Sequence, residues 1–114
     1  MDLFGPSMTT LEHALDIRAA KQRVVASNLA NIDTPGYIAQ RIDFDAAMRN
    51  AEATGSVNPM VEESSAPGHS LDGNNVNLEG ELSELSRNKL MYNVTAQIMA
   101  SKLRQVAMIA EQEQ

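Results

Sequence analysis

The feature that most constrains the fold is a stop between two helical patterns, at residues 31–37, which read Asn-Ile-Asp-Thr-Pro-Gly-Tyr. Thr34 precedes a proline, which disfavours helical backbone, so a helix cannot run on through this point. Pro35 and Gly36 suit the two central positions of a type II turn, because proline fixes φ and glycine accepts a positive φ. We therefore predict a helix that ends before the turn and a chain that changes direction after it.

Asparagines flank this stop and are predicted to hold it in place. Asn31 lies where the helix would end, and asparagine tolerates the left-handed backbone that is common just past a helix terminus. The amides of Asn28 and Asn31 can bond the free carbonyls of the last helical turn or the returning chain. Tyr37 then opens an extended stretch.

Apolar residues before the stop recur at helical spacing and predict a helix over about 8–30. Thr9 and Glu12 match a capping box at its start. The pattern forms a heptad-like seam with polar interruptions at Arg18 and Gln22. The apolar members of this seam are Met8, Leu11, Leu15, Val25, Leu29 and Ile32.

A second, longer helix is predicted over about 78–111, which at ~1.5 Å per residue would be about 50 Å long. Asn75 or Asn77 is the expected N-cap. Its seam has one polar break, at Lys89, whose side chain we expect to snorkel past the apolar surface. The apolar seam residues are Leu78, Leu82, Leu85, Tyr92, Ala96, Met99, Leu103, Val106 and Ala110, and a neighbouring stripe holds Met91, Val94, Ile98 and Ile109. Two stripes indicate that this helix touches more than one neighbour.

The middle of the chain divides into two segments. Residues 31–53 combine the turn, an extended segment and a short helix. Ile38, Ile42 and Phe44 are expected on one side of this segment, where they would dock on a neighbour or brace the helix pair. Residues 54–75 are rich in Ser, Gly, Pro, Asn and Glu and are interpreted as a flexible loop.

Composition excludes several classes of protein. The net charge of −6 is concentrated in residues 31–77, which carry seven acidic and two basic side chains. That balance argues against binding to nucleic acid or to an anionic membrane surface. The absence of cysteine excludes disulfides and cysteine-based zinc sites. No apolar run approaches the ~20 residues of a membrane span, and no secretory signal is recognisable.

No constellation of residues predicts chemistry. His13 and Asp16 are spaced as a pair on a helix, but two ligands do not make a metal site. His69, Ser70 and Asp72 lie together in the loop, without the fixed geometry that a catalytic triad needs. We therefore expect no catalytic, cofactor-binding or metal-binding residue, no cofactor and no enzymatic activity.

These patterns together predict a mainly α fold in one domain over 1–114. Its long N- and C-terminal helices would pack as a coiled-coil-like pair, with an extended segment and a flexible acidic loop between them. Seven Met and only 4% aromatic residues indicate a soft core. A chain of this size buries little surface, so we expect the isolated subunit to be loosely ordered and to finish folding against neighbours.

The string Val-Val-Ala-Ser-Asn-Leu-Ala-Asn-Ile-Asp-Thr-Pro-Gly-Tyr at 24–37 resembles the N-terminal signature of the flagellar rod and hook family of bacterial axial proteins. Terminal helices at both ends and a variable middle fit the same family. Asp-Gly-Asn-Asn-Val-Asn-Leu-Glu at 72–79 and Asn-Lys-Leu-Met-Tyr at 88–92 resemble its proximal rod subunits. The resemblance covers about 8–50 and 70–110.

This resemblance implies a structural subunit of the proximal rod in the flagellar basal body, part of the drive shaft that transmits torque from the MS ring to the hook. Such a subunit is exported to the periplasmic rod by the type III apparatus without a cleaved signal peptide. Its implied partners are copies of itself in a helical assembly, the rod proteins FlgC and FlgF, the adaptor FliE and the MS-ring protein FliF. A sibling subunit of the FlgC type and a small helical adaptor or chaperone are the alternatives.

Three sets of residues are then expected to matter. The motif and turn comprise Asn28, Leu29, Asn31, Thr34, Pro35, Gly36 and Tyr37. Helix packing and assembly are assigned to Leu11, Leu15, Val25, Leu29, Leu82, Leu85, Tyr92, Met99, Leu103 and Val106. Docking of the extended segment is assigned to Ile38, Ile42 and Phe44.

Overall fold

The computed structural model describes residues 7–68 and 71–112, and in this part of the chain it contains three helices and two short strands. In chain order the elements are α1 (Met8–Ala30), β1 (Gln40–Ile42), α2 (Phe44–Thr54), β2 (Val61–Glu63) and α3 (Leu78–Gln112). The two long helices pack against each other and the strands lie between them in sequence. The predicted mainly α fold with paired terminal helices is therefore confirmed.

The long helices α1 and α3 run antiparallel. Arg18 contacts Asn88, whereas Asn28, ten residues further along α1, contacts Glu81, which lies earlier in α3. With 35 residues against 23, α3 is the longer helix, and its end after Lys102 extends past the first turn of α1. The molecule is accordingly elongated, with principal extents of 68 × 26 × 15 Å.

One cluster of buried apolar side chains lies where α1, β1 and α2 meet. It is a small cluster formed by Ile17 and Ala20 of α1, Ile42 of β1 and Ala47 of α2. Alanine at two of these positions brings the backbones close together, and the larger side chains around the cluster close its edge. Those partly buried neighbours are Val24, Phe44, Met48 and Val57.

The ends of the helices are fixed by short polar side chains. Ser7 caps α1, with its Oγ accepting a hydrogen bond from Thr10 N at 3.0 Å. The predicted capping box was therefore wrong by two residues, because the helix begins at Met8 rather than after Thr9. At the start of α3, Asn77 Oδ1 accepts a hydrogen bond from Gly80 N at 3.1 Å. Of the two candidates, Asn75 and Asn77, it is therefore Asn77 that caps α3.

The interpretation of 54–75 as a loop without regular structure was wrong in part, because this stretch contains β2. Strand β2 pairs antiparallel with β1, with Gln40 opposite Glu63 and Ile42 opposite Val61. Ser64 N extends the ladder to Ala39 O at 2.7 Å. A three-residue strand with two adjacent glutamates has no alternating apolar pattern, so its pairing is set by the tertiary structure and not by local propensity.

The less exposed face of α3 mixes apolar residues of the predicted seam, namely Leu85, Ala96 and Met99, with polar ones. Asn88 is buried against α1, with Arg18 and Gln22 as its partners. The predicted seam residues beside it point more to solvent, and Leu103 keeps 55% of its surface exposed. No helix among the described residues is both long and apolar enough to span a membrane.

Candidate assembly site

The turn at the end of α1 has the geometry expected from its residues. Tyr37 N donates to Thr34 O at 3.2 Å, and Gly36 has a φ of +72°. The expectation of a left-handed Asn31 was wrong, since its φ is −104°. The chain leaves α1 through further tight turns, with Thr34 N bonded to Asn31 O at 3.0 Å, so no reversal of backbone handedness is needed before the glycine.

Asn28 joins the end of α1 to both of its neighbours. Its Oδ1 accepts from Gln40 N at 2.9 Å and from the Tyr37 hydroxyl at 3.1 Å. Its Nδ2 donates to Gln40 O at 2.8 Å and to Glu81 Oε1 at 3.1 Å. The Asn28 amide thus bonds both backbone groups of Gln40, as a neighbouring strand would. It also bonds Glu81 in the first turn of α3. With 1% of its surface exposed and four hydrogen bonds made, the side chain is fully satisfied.

Asn74 holds the signature turn from the other side. Its Nδ2 lies 2.9 Å from Asn31 O, 3.0 Å from Ile32 O and 2.8 Å from Thr34 O, so one amide group donates to three carbonyls. Its Oδ1 accepts from Val76 N at 2.8 Å. These carbonyls follow the helix end and have no helical partner, which is the situation that capping side chains resolve.

The next residue, Asn75, holds the sheet. Its Oδ1 accepts from Ala39 N at 2.6 Å, and its Nδ2 donates to Ser64 O at 3.2 Å and Ala66 O at 3.0 Å. Its backbone N donates to Tyr37 O at 3.2 Å. Asn74 and Asn75 together therefore fix the segment before α3 against both the turn and the two strands.

Asn88 is the corresponding contact in the middle of the helix pair. Its Nδ2 donates to Arg18 O at 2.8 Å and to Gln22 Oε1 at 3.0 Å, while Oδ1 accepts from Arg18 Nη1 at 3.5 Å. The Arg18 guanidinium also lies 3.8 Å from the centre of the Phe44 ring, a cation–π contact. Arg18 therefore links α1 to both α2 and α3.

Burial shapes the electrostatics of this network. Burial lowers the pKa of Arg18, an effect that the nearby carboxylates of Glu84 and Asp45 oppose. Burial also raises the pKa of Glu81. The hydrogen bond from Asn28 acts to lower this pKa, and the negative charge of Glu84 acts to raise it. The Glu81 carboxylate is thus held near the helix interface by the Asn28 amide rather than by a cation.

The three residues assigned to docking of the extended segment differ in how deeply they are buried. Ile42 is buried in the core and Phe44 packs against it, whereas Ile38 points outward and Ala39 is buried in its place. The bond that Asn75 makes to Ala39 N draws this residue inward, so burial does not alternate as the pattern implied. Contact of these residues with a neighbouring subunit stays a prediction.

The residues assigned to helix packing also separate into groups. Leu11 and Val25 are buried, and Leu15, Leu29, Leu85 and Met99 are half-buried. Leu82, Tyr92, Leu103 and Val106 are exposed, each with 39–55% of its surface accessible. Their role in assembly is not decided by one subunit and stays a prediction.

Three residues that organise the site were missed by the sequence analysis as functional positions, namely Asn74, Asn75 and Asn88. The first two were placed in a loop or considered as a helix cap, because asparagine is common in both. The available signal was the run of asparagines directly before α3. For Asn88, the signal was a short polar side chain between two apolar positions of a helical seam.

No metal site is indicated in the part of the chain that the structure describes, where no three acidic or histidine side chains converge. His13 instead lies with its Nδ1 3.4 Å from Glu52 Oε1, which connects α1 to α2. His69, considered above, lies outside the described residues.

Comparisons with known proteins agree with the signature. A family described as "Flagella basal body rod protein" matches residues 8–37, which span α1 and the turn. The flagellar basal body rod protein FlgB of Aeromonas hydrophila is 35% identical over 109 residues, covering 81% of this chain and 83% of that protein. The chain belongs to the FlgB family of flagellar rod proteins.

Other FlgB proteins match over even more of the chain. FlgB of Salmonella typhimurium is 31% identical, covering 91% of this chain and 92% of that protein. FlgB of Bacillus subtilis is also 31% identical, and the match covers 90% of this chain and 91% of that protein. The similarity to FlgB therefore extends through the strands and α3, beyond the segment shared with rod proteins in general.

Substitutions at Pro35 and Gly36 should lower the stability of the subunit by different amounts. A Cβ at Gly36 would lie 3.9 Å from Asp72 O, an ordinary contact, so the cost of a side chain comes from the positive φ alone. We expect Gly36→Ala to cost about 1–2 kcal/mol of stability, with Gly36→Val costing more. Pro35→Ala, which loses only rigidity, should cost less than about 1 kcal/mol. Thermal unfolding followed by circular dichroism would measure both, and equal losses would contradict the type II turn.

Replacing the donor amide of Asn74 should be far more damaging than a similar change at the helix cap. Asn74→Asp keeps the shape but sets a carboxylate oxygen against three carbonyls, and we expect it to cost about 2–4 kcal/mol. Asn77→Asp is the matched control, because aspartate caps a helix as well as asparagine does. Urea unfolding of the two variants would measure the difference, and similar midpoints would show that Asn74 does not hold the turn.

Proposed function

We propose that this chain is a structural subunit of the proximal rod of the bacterial flagellar basal body, part of the drive shaft between the MS ring and the hook. The observation that carries the proposal is membership of the FlgB family over nearly the whole chain. The subunit has a mechanical role and performs no catalysis. Residues 1–114 act as one rod-type domain.

The surface of α3 suits a subunit that is completed by its neighbours. Many of its large apolar side chains are exposed although the helix is packed against α1, and soluble monomers rarely expose so many on one element. They are Leu78, Leu82, Leu90, Met91, Tyr92, Val94, Ile98, Leu103, Val106, Met108 and Ile109. Contacts between different faces of successive copies generate a helical assembly such as a rod when the rotation between copies does not close a ring.

The partners follow from this position. We propose that the chain contacts copies of itself, the rod proteins FlgC and FlgF, the adaptor FliE and the MS-ring protein FliF. The subunit reaches the periplasmic rod through the flagellar type III apparatus without a cleaved signal peptide.

Electron microscopy of basal bodies from a strain lacking this gene tests the proposal. We expect rings without a rod in non-motile cells, and restored rods and swimming when the wild-type gene is supplied. Intact rods and normal swimming in the deletion strain would contradict the assignment.

A charge on the exposed apolar surface should block assembly without unfolding the subunit. Leu103 is 55% exposed on the part of α3 that extends past α1, so Leu103→Asp should leave folding and export intact and abolish rods. Leu29→Asp, on the half-buried side of α1, should also block assembly. Gln97→Asp, at an exposed polar position of α3, is the matched control and should swim. If the Leu103→Asp strain swims as well as this control, the exposed surface of α3 around Leu103 is not needed for assembly.

A further inference from the structure

A groove with a basic rim lies between the two long helices. It has a volume of about 390 Å³, and no carboxylate is among its lining residues, which are Arg18, Ala19, Gln22, Arg23, Asn88, Lys89, Tyr92 and Asn93. Arg23 and Lys89 are exposed at the rim, and neither makes an ion pair with any residue in 7–68 or 71–112. In a chain with a net charge of −6, two unpaired cations beside a tyrosine ring form an unusual surface.

A surface of the opposite character lies on β2 and the residue before it. Met60 and Val61 are 78% and 51% exposed, and Glu62 and Glu63 are exposed beside them. Within residues 7–68 and 71–112, the strand pairs with another strand on one edge only. The Glu62 carboxylate has one distant cation, with its Oε2 4.0 Å from Arg41 Nε. Residues 60–63, the acidic edge, therefore offer both apolar side chains and carboxylates to a partner.

Within one subunit, no ion pair joins the acidic edge to Arg23 or Lys89 among the described residues. The sheet packs on the side of α1 that carries Ala20, Arg23 and Val24, where Val61 lies. The groove opens on the side that carries Ala19 and Gln22. Arg23 lines both surfaces, so they adjoin at this residue, and each continues from it in a different direction around α1.

We infer that the acidic edge of one copy docks in the basic groove of the next copy. Met60 and Glu62 lie on the same side of this segment, whereas Val61 lies against α1 of its own chain. The Glu62 carboxylate then meets Lys89, and Met60 covers the side chain of Tyr92. Because the two surfaces are different, the contact is head-to-tail, and it builds an open rod when the rotation between copies does not close a ring. Opposite charges of this kind fix orientation and register more than affinity. The inference rests on the proposed rod function and names one interface within it.

Cysteine cross-linking in living cells tests the contact directly, because the natural chain has no cysteine. Glu62→Cys and Lys89→Cys are introduced together into the only copy of the gene, and motile cells are oxidised before basal bodies are isolated. A disulfide requires Cβ atoms within about 4.5 Å, so only a close contact is captured. We expect a ladder of dimers, trimers and larger species on a non-reducing gel, since each copy carries both halves of the contact.

Three controls define the result. Each single cysteine should give no ladder, and Glu12→Cys combined with Lys89→Cys tests an exposed carboxylate position on α1 instead of β2. Since contact raises effective concentration by orders of magnitude, the cross-linked fraction should exceed the Glu12 pair by at least about tenfold. A fraction no larger than this control in swimming cells would overturn the interface and leave the rod function standing. Absence of the chain from basal bodies of swimming cells would overturn both.

Charge exchange gives a second readout that does not depend on oxidation. Lys89→Glu and Glu62→Lys should each narrow the swimming halo in soft agar, because each sets like charges against one another. The two changes together should restore much of the halo, since the pair is again of opposite sign. A double variant that swims no better than the worse single variant would count against the interface.

Discussion

Hydrogen bonds from buried asparagine side chains are the interaction on which the rest of this structure depends. Asn28, Asn74, Asn75 and Asn88 are each no more than 6% exposed, and every one bonds to at least two other segments or residues. An amide left unpaired in such a position costs about 1–3 kcal/mol, so only an arrangement that satisfies all four is favourable. Unlike apolar contacts, these bonds have direction, and they fix the turn, the sheet and the long helices relative to one another.

One consequence is that α3 keeps its apolar residues for other contacts. A helix pair held by an apolar seam would bury its leucines within the subunit, whereas here Asn88 occupies the centre of the contact. A single polar residue in a helix interface can set register at a cost in stability. The subunit therefore combines a defined relative position of α1 and α3 with an exposed apolar surface, which is the combination that a polymerising rod subunit needs.

The sequence predicted local features well and tertiary ones poorly. The bounds of α1 and the turn at Gly36 depend on proline, glycine and helical periodicity, which act over a few residues. Strand β2 was missed because its pairing depends on a distant partner, and the contact of Asn88 with α1 was missed because hydrophobic periodicity gives no weight to a polar residue. The run that contains Asn74 looks like a loop by composition, and only its bonds to the signature turn, some forty residues earlier, show its role.

The most direct test of this account is hydrogen exchange at the backbone amides of Ala39, Gln40 and Val76. Each of these amides donates to an asparagine side chain, at 2.6, 2.9 and 2.8 Å. If the asparagines hold the subunit together, all three should be protected to the same degree as amides in the middle of α1. Exchange at the rate of an open loop, while α1 and α3 stay protected, would show that the helices pair without this network and would contradict the account.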